Sequence, residues 1–264
     1  MSKKTVRNII ILFIVYLGIA IVIIGPWPFL SRFGVKKHTH LLIGSDTVLS
    51  YGYLDWSESD DLSKITTNTS FDIYVNKDYI GHYPLKNNKG LWYYKKDDLY
   101  QMIDGPVIAI TGSSTNTVIK YEEEEITSND LNYLNNILKK DKIKVTLEDI
   151  TFSQKIALDF DGDKKQETLY LASMRTEEKD KNFTVIFYQN NGGVKVLFKD
   201  IFSNEEVNTE YSYQIDSIID MKKDGKYEVL ISKVRPLNPK SQSYDLYGLS
   251  LFGNYKKLMS GKEE

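Results

Sequence analysis

The sequence predicts a mainly β protein with one short helix, preceded by an N-terminal transmembrane helix and ending in two four-strand repeats. Three observations carry that prediction. Short runs rich in Tyr, Phe, Ile and Val recur between Gly, Asn and Asp clusters from residue 47 onward, which is how strands and tight turns are written. A single segment after residue 126 has helical spacing instead. A stretch near residue 156 returns 61 residues later (220 − 159 = 61), and a fixed period of this kind signals a repeated supersecondary unit.

Residues 8–30 come first: 23 positions without a charge, against about 20 needed to span a bilayer. The run offers no small-x-small cleavage site, and Pro26 and Trp27 follow its apolar core. These features predict an uncleaved single-pass anchor with Trp27 at the interface. Lys3, Lys4 and Arg7 before it are balanced by Arg32, Lys36 and Lys37 after it. The nearer flank favours a cytoplasmic N-terminus, a plasma-membrane location and an extracytoplasmic C-terminal domain.

Residues 31–40 read as a juxtamembrane linker; the His38 and His40 pair in it has no third ligand nearby and fits an exposed tether. Residues 41–126 read as a β-rich subdomain. Within it Phe71 to Val75, the turn Asn76-Lys77-Asp78 and Tyr79 to Tyr83 form a hairpin pattern, with further strands at 90–94 and 107–111. Thr127-Ser128-Asn129-Asp130 is a capping box, and Leu131, Leu134, Ile137 and Leu138 share one helical face. The helix is expected over 127–142, with Lys139 and Lys140 at the negative end of its dipole.

The most chemically specific stretch is Asp159-Phe160-Asp161-Gly162-Asp163-Lys164-Lys165-Gln166-Glu167, with carboxylates at loop positions 1, 3, 5 and 9. Strand-like runs flank it on both sides. Four acids in nine residues repel one another unless a cation sits among them, and alternating Asp on a tight loop aims hard oxygens at one Ca²⁺. It is not an EF-hand, because positions 6 and 12 hold Lys164 and Tyr170 in place of Gly and Glu. The plainer alternative is a solvated Asp-Gly turn.

This D-x-D-G-D-x-x-x-E loop inside a hairpin resembles the calcium loops of FG-GAP and VCBS-type repeats, the blade units of integrin-α-like β-propellers. The resemblance covers about residues 155–259. It implies two propeller-blade-like units, about 155–200 and 216–260 within 143–264, and a structural Ca²⁺. The ligands it implies are the side chains of Asp159, Asp161, Asp163 and Glu167 and the backbone carbonyl of Lys165. Lys164 departs from the Gly usual at position 6.

The second copy sets Asp220, Asp224 and Glu228 on Asp159, Asp163 and Glu167. Lys222 falls where the first copy has Asp161, so an ammonium replaces a ligand. An internal salt bridge to Asp220 and Asp224 is the reading favoured there.

Other chemistry finds little footing. A net charge of −2 with no basic stripe argues against nucleic acid. The absence of cysteine leaves compartment open, and there is neither a G-x-S-x-G elbow nor a phosphate-binding glycine loop. The aromatics alternate with aliphatics as in sheet packing. In a eukaryotic source Asn68 and Asn182 would begin glycosylation sequons. The function these observations suggest is a membrane-anchored extracytoplasmic binding or interaction protein, its β surface presented to a protein or polysaccharide. The alternative is a cell-envelope hydrolase or an accessory subunit of an envelope enzyme.

Overall fold

The computed structural model describes residues 39–43, 47–52, 55–59, 70–88, 91–103, 107–111, 117–221, 224–249 and 255–260. The N-terminal part forms one sheet from β1 (Thr39–Ile43), β2 (Thr47–Gly52), β3 (Asp55–Ser59), β4 (Ser70–Val75), β5 (Asp78–Asn88), β6 (Leu91–Lys96), β7 (Leu99–Met102) and β8 (Val107–Thr111). All neighbours are antiparallel in the order β3-β2-β1-β8-β4-β5-β6-β7. Hairpin β4/β5 turns on Asn76 and Lys77, both at positive φ (51° and 68°), and β6/β7 turns on Asp97 and Asp98 (49° and 64°). Two consecutive left-handed residues give the turn whose twist matches that of the strands it joins.

Helix α1 (Ser128–Leu138) starts where the capping box places it, and tightens at Leu138 into a single 3₁₀ turn, Lys139–Asp141. Asp130 ties its start to the rest of the molecule. Its carboxylate accepts the Thr127 N–H at 2.8 Å and hydroxyl at 2.7 Å, the Tyr170 hydroxyl at 2.8 Å and the Lys155 ammonium at 3.2 Å. Burial pushes its pKa up, but the bonds from Thr127, Tyr170 and Lys155 prevail and hold it below the ordinary carboxylate value. A lowered folded pKa means stability that is present above the unfolded value of about 3.9 and lost as pH falls through the folded one. Asp130→Asn should therefore cost about 2 kcal/mol at neutral pH, and the gap from wild type in urea denaturation should close in acid. A gap that persists unchanged in acid would assign the loss to packing instead.

Beyond the helix the chain makes two four-strand meanders. The first is β10 (Phe152–Leu158), β11 (Glu167–Met174), β12 (Lys181–Asn190) and β13 (Gly193–Ser203). The second is β14 (Ser212–Ile219), β15 (Glu228–Arg235), β16 (Asn238–Leu249) and β17 (Tyr255–Ser260), widened to five strands by β9 (Val118–Ile119) against β14. The layers follow from which residues share a core. Phe183, Val185 and Phe187 of β12 face Leu134 and Leu138 of α1, whereas Ile186 and Tyr188 face Ile218, Val229 and Tyr255 of the second meander. The opposite face of the second meander, through Ile219, Leu230 and Leu246, packs on Leu41, Ile43 and Ile110 of the N-terminal sheet. Helix, sheet, sheet and sheet thus stack in order. A strand covered on both faces has no polar alternation to show, and residues 182–188 are buried without a break.

Two expectations are corrected here. The three sheets are open, not the blades of a propeller: both faces of the meander pair are already covered, by α1 on one side and the N-terminal sheet on the other, so no face is left to continue a ring. The expected transmembrane helix at 8–30 lies outside the described residues. Among those described, no helix is long and apolar enough to cross a membrane; α1, with its 11 residues, is only about 16 Å long at 1.5 Å per residue. Asn182 is fully buried, its amide donating to the Thr176 carbonyl and its oxygen accepting the Thr176 N–H at 2.7 Å, so it is no glycosylation acceptor in the folded chain. Asn68 lies outside the described residues.

Candidate metal centre

Strand β10 ends and β11 begins at the cross-strand pair Leu158 and Glu167, so residues 159–166 are a hairpin loop held open at its neck. Short acidic side chains fold that loop by accepting its own N–H groups. Asp159 accepts from Gly162 at 2.8 Å and from Lys164 at 2.9 Å, and Asp161 accepts from Asp163 at 3.0 Å. Glu167 reaches back to accept the Phe160 N–H at 2.8 Å. The outcome is a cluster: one carboxylate oxygen from each of Asp159, Asp161 and Glu167 lies within 4.8 Å of the others.

Three of the expected ligands are therefore brought together. Asp163 is not among them, because its two oxygens take the Lys165 N–H at 2.8 Å and the Lys165 ammonium at 3.0 Å. The Lys165 carbonyl takes part in neither bond. Since the Asp163 and Lys165 side chains are 41% and 63% exposed, solvent screens that pair and it holds the loop only weakly. A divalent ion can displace the ammonium at little cost. Lys164 sits left-handed at φ 68°, and the residue aligned with it in the second copy is Gly225 at φ 73°. The departure at position 6 is thus absorbed as a strained Lys in the same turn.

Electrostatics singles out Glu167, the buried member of the cluster. It is 2% exposed, and its pKa is raised by desolvation, against the opposing Phe160 N–H bond, with the charges of Asp161, Asp163 and Asp159 adding to the rise. The Tyr188 hydroxyl is buried beside Glu167, without a hydrogen bond of standard geometry, and its pKa is pushed up by desolvation and by the same carboxylates. A cavity of about 270 Å³ opens next to Asp161, between Tyr188 and the turn at Asn190 and Gly193. It leaves room for water ligands around an ion that wants 6–8 oxygens.

The described residues of the second loop repeat the bonds from Phe160 to Glu167 and from Lys164 to Asp159. Glu228 accepts the Met221 N–H at 3.2 Å, and Asp220 accepts from Asp224 at 3.1 Å and Gly225 at 3.2 Å. Lys222 and its expected salt bridge lie outside the described residues. The loops abut: the Tyr227 N–H donates to the Phe160 carbonyl at 3.0 Å, and a Cβ on Gly162 would stand 3.1 Å from the Gly225 carbonyl oxygen.

Phe160 and Tyr188 escape the ligand pattern, which weighs only alternate positions of the loop. The spacing that sets Asp159 and Asp161 as ligands is itself the signal for Phe160, since the residue between them has to face elsewhere. Tyr188 carries no such signal, because it reaches the site only through the pairing of β12 with β11, opposite Leu169. No family model, curated protein or solved structure matches the chain.

Proposed function

We propose that the chain is a binding or interaction protein of stacked β-sheets in which the 159–167 loop holds a structural Ca²⁺. Asp159, Asp161 and Glu167 are its side-chain ligands, and Asp163 joins them once Lys165 is displaced. The observation that carries the proposal is the convergence of three carboxylates within 4.8 Å, one of them buried, on a hairpin loop. The ion would neutralise that charge and brace both loops, which meet through Tyr227 and Phe160. The chemistry on offer is positional: the loop presents oxygen ligands to an ion.

Calorimetric titration of the full chain tests this directly. One Ca²⁺ per chain is expected at micromolar to millimolar concentration, with Mg²⁺ weaker because it demands octahedral geometry at about 2.0–2.1 Å and sheds water reluctantly. Absence of Ca²⁺ uptake at millimolar concentration would return the loop to a solvated turn.

A further inference from the structure

A second site lies elsewhere in the molecule, between the N-terminal sheet and the second meander. The cavity there is about 560 Å³, walled by Tyr74, Lys77 and Ile108 on one side and by Gln214, Asp216 and Tyr244 on the other. This is within the range of small-molecule pockets, about 300–1,000 Å³.

One local irregularity builds it. In β14 the pairing jumps from Ile215 opposite Ile231 to Ser217 opposite Leu230, leaving Asp216 as an extra, unpaired residue. A regular strand sends consecutive side chains to opposite faces, but here Asp216 and Ser217 both line the cavity. The aligned hairpin of the first meander shows no such jump: Gln154, Lys155 and Ile156 pair in regular succession with Leu171, Tyr170 and Leu169. The bulge is therefore not a property of the repeat. It is pinned from the neighbouring sheet by the buried Gln154 amide, which accepts the Ile215 N–H at 2.6 Å and donates to the Ile215 carbonyl at 3.2 Å. Bulges of this kind re-aim side chains at functional places.

The two charges that face the cavity are of opposite sign and do not pair. Asp216 has the Ser217 hydroxyl at 3.1 Å as its neighbour, and desolvation raises its pKa against the help of Ser217 and the more distant Lys77 charge. Lys77, thrown inward by the left-handed β4/β5 turn, donates to the Tyr121 hydroxyl at 2.9 Å and lies 4.3 Å from the centre of its ring. Asp216 is half-buried, and a partly desolvated carboxylate without a cation beside it is costly. A simple amine would supply one but would meet Lys77; a simple acid would suit Lys77 but meet Asp216. We propose that this cavity binds a small zwitterion, an α-amino acid or short peptide, with its ammonium on Asp216 and its carboxylate toward Lys77. The site is separate from the acidic loop and does not depend on calcium occupying it.

Titration calorimetry on the full chain decides the matter, with the common L-amino acids and alanylalanine as probes. The best-binding probe is then compared with its N-acetylated and its C-amidated forms, each lacking one charge. Binding at micromolar to millimolar concentration is expected, with each blocked form about 30-fold or more weaker, as for loss of one partner of a desolvated charge pair. Asp216→Asn should weaken the unblocked probe by a similar factor while leaving the melting temperature unchanged or higher, and Lys77→Met should weaken it from the other end. The proposal is overturned if no probe binds at millimolar concentration, or if a blocked form binds as well as the zwitterion.

Discussion

Asp161→Lys should abolish the calcium-dependent rise in melting temperature that the wild-type chain is expected to show. With free Ca²⁺ at about 100 times its dissociation constant, mass action adds about 2.7 kcal/mol of stability, or about 5–10 °C for a domain of this size. The substitution removes one of three converging carboxylates and sets an ammonium in its place, as Lys222 does in the second copy. Without calcium the sign reverses. The Glu167 pKa is raised by desolvation first and by the neighbouring carboxylates after it; the new ammonium removes the Asp161 share of that repulsion, so in chelator the variant should melt at or above wild type. That crossing separates loss of an ion from simple damage to the loop. Asp161→Asn keeps one amide oxygen and should give a partial response, whereas Asp224→Asn in the second loop should leave the calcium response intact. A wild-type chain melting at one temperature in chelator and in millimolar calcium would sink the ion site.

Much of the fold can be read along the chain because its units are local. The strands at 71–75 and 107–111, the two-residue turn at Asn76 and Lys77, and the capping box at Thr127 each depend on neighbours only a few residues away. The acidic hairpin loop is local for the same reason, and its equivalence to the loop at Asp220 shows in their matching backbone hydrogen bonds. What cannot be read depends on distance. Asp163 is drawn away from the cluster by Lys165, a competition between a ligand and a neighbouring cation that spacing does not rank. The choice between an open stack and a closed ring is made by what covers the outer faces, and Leu134 and Leu41 do that from outside the repeats. The bulge at Asp216 follows no motif: it is stabilised by the bond of Gln154 to Ile215, partners 61 residues apart and in different sheets.

The same long-range character gives Phe160 the largest effect expected of any single substitution discussed above. It stands between two candidate ligands, and a side chain between two outward-facing carboxylates points inward. Phe160 is fully buried and meets Tyr188, Tyr227 and Tyr255 edge to face, with ring centres 6.0, 6.5 and 6.1 Å away. Its carbonyl accepts the Tyr227 N–H and its own N–H donates to Glu167. One residue therefore anchors the acidic loop into the core shared by both meanders. Phe160→Ala should cost about 3–5 kcal/mol in urea denaturation, and Phe160→Leu about 1 kcal/mol because most of the volume stays. The Ala variant should also bind calcium more weakly, since the strut that orients Asp159 and Asp161 is gone and the ion has to order the loop itself. A cost below about 1 kcal/mol for the Ala variant would mean that the loop is held by its own hydrogen bonds, with Phe160 only filling space.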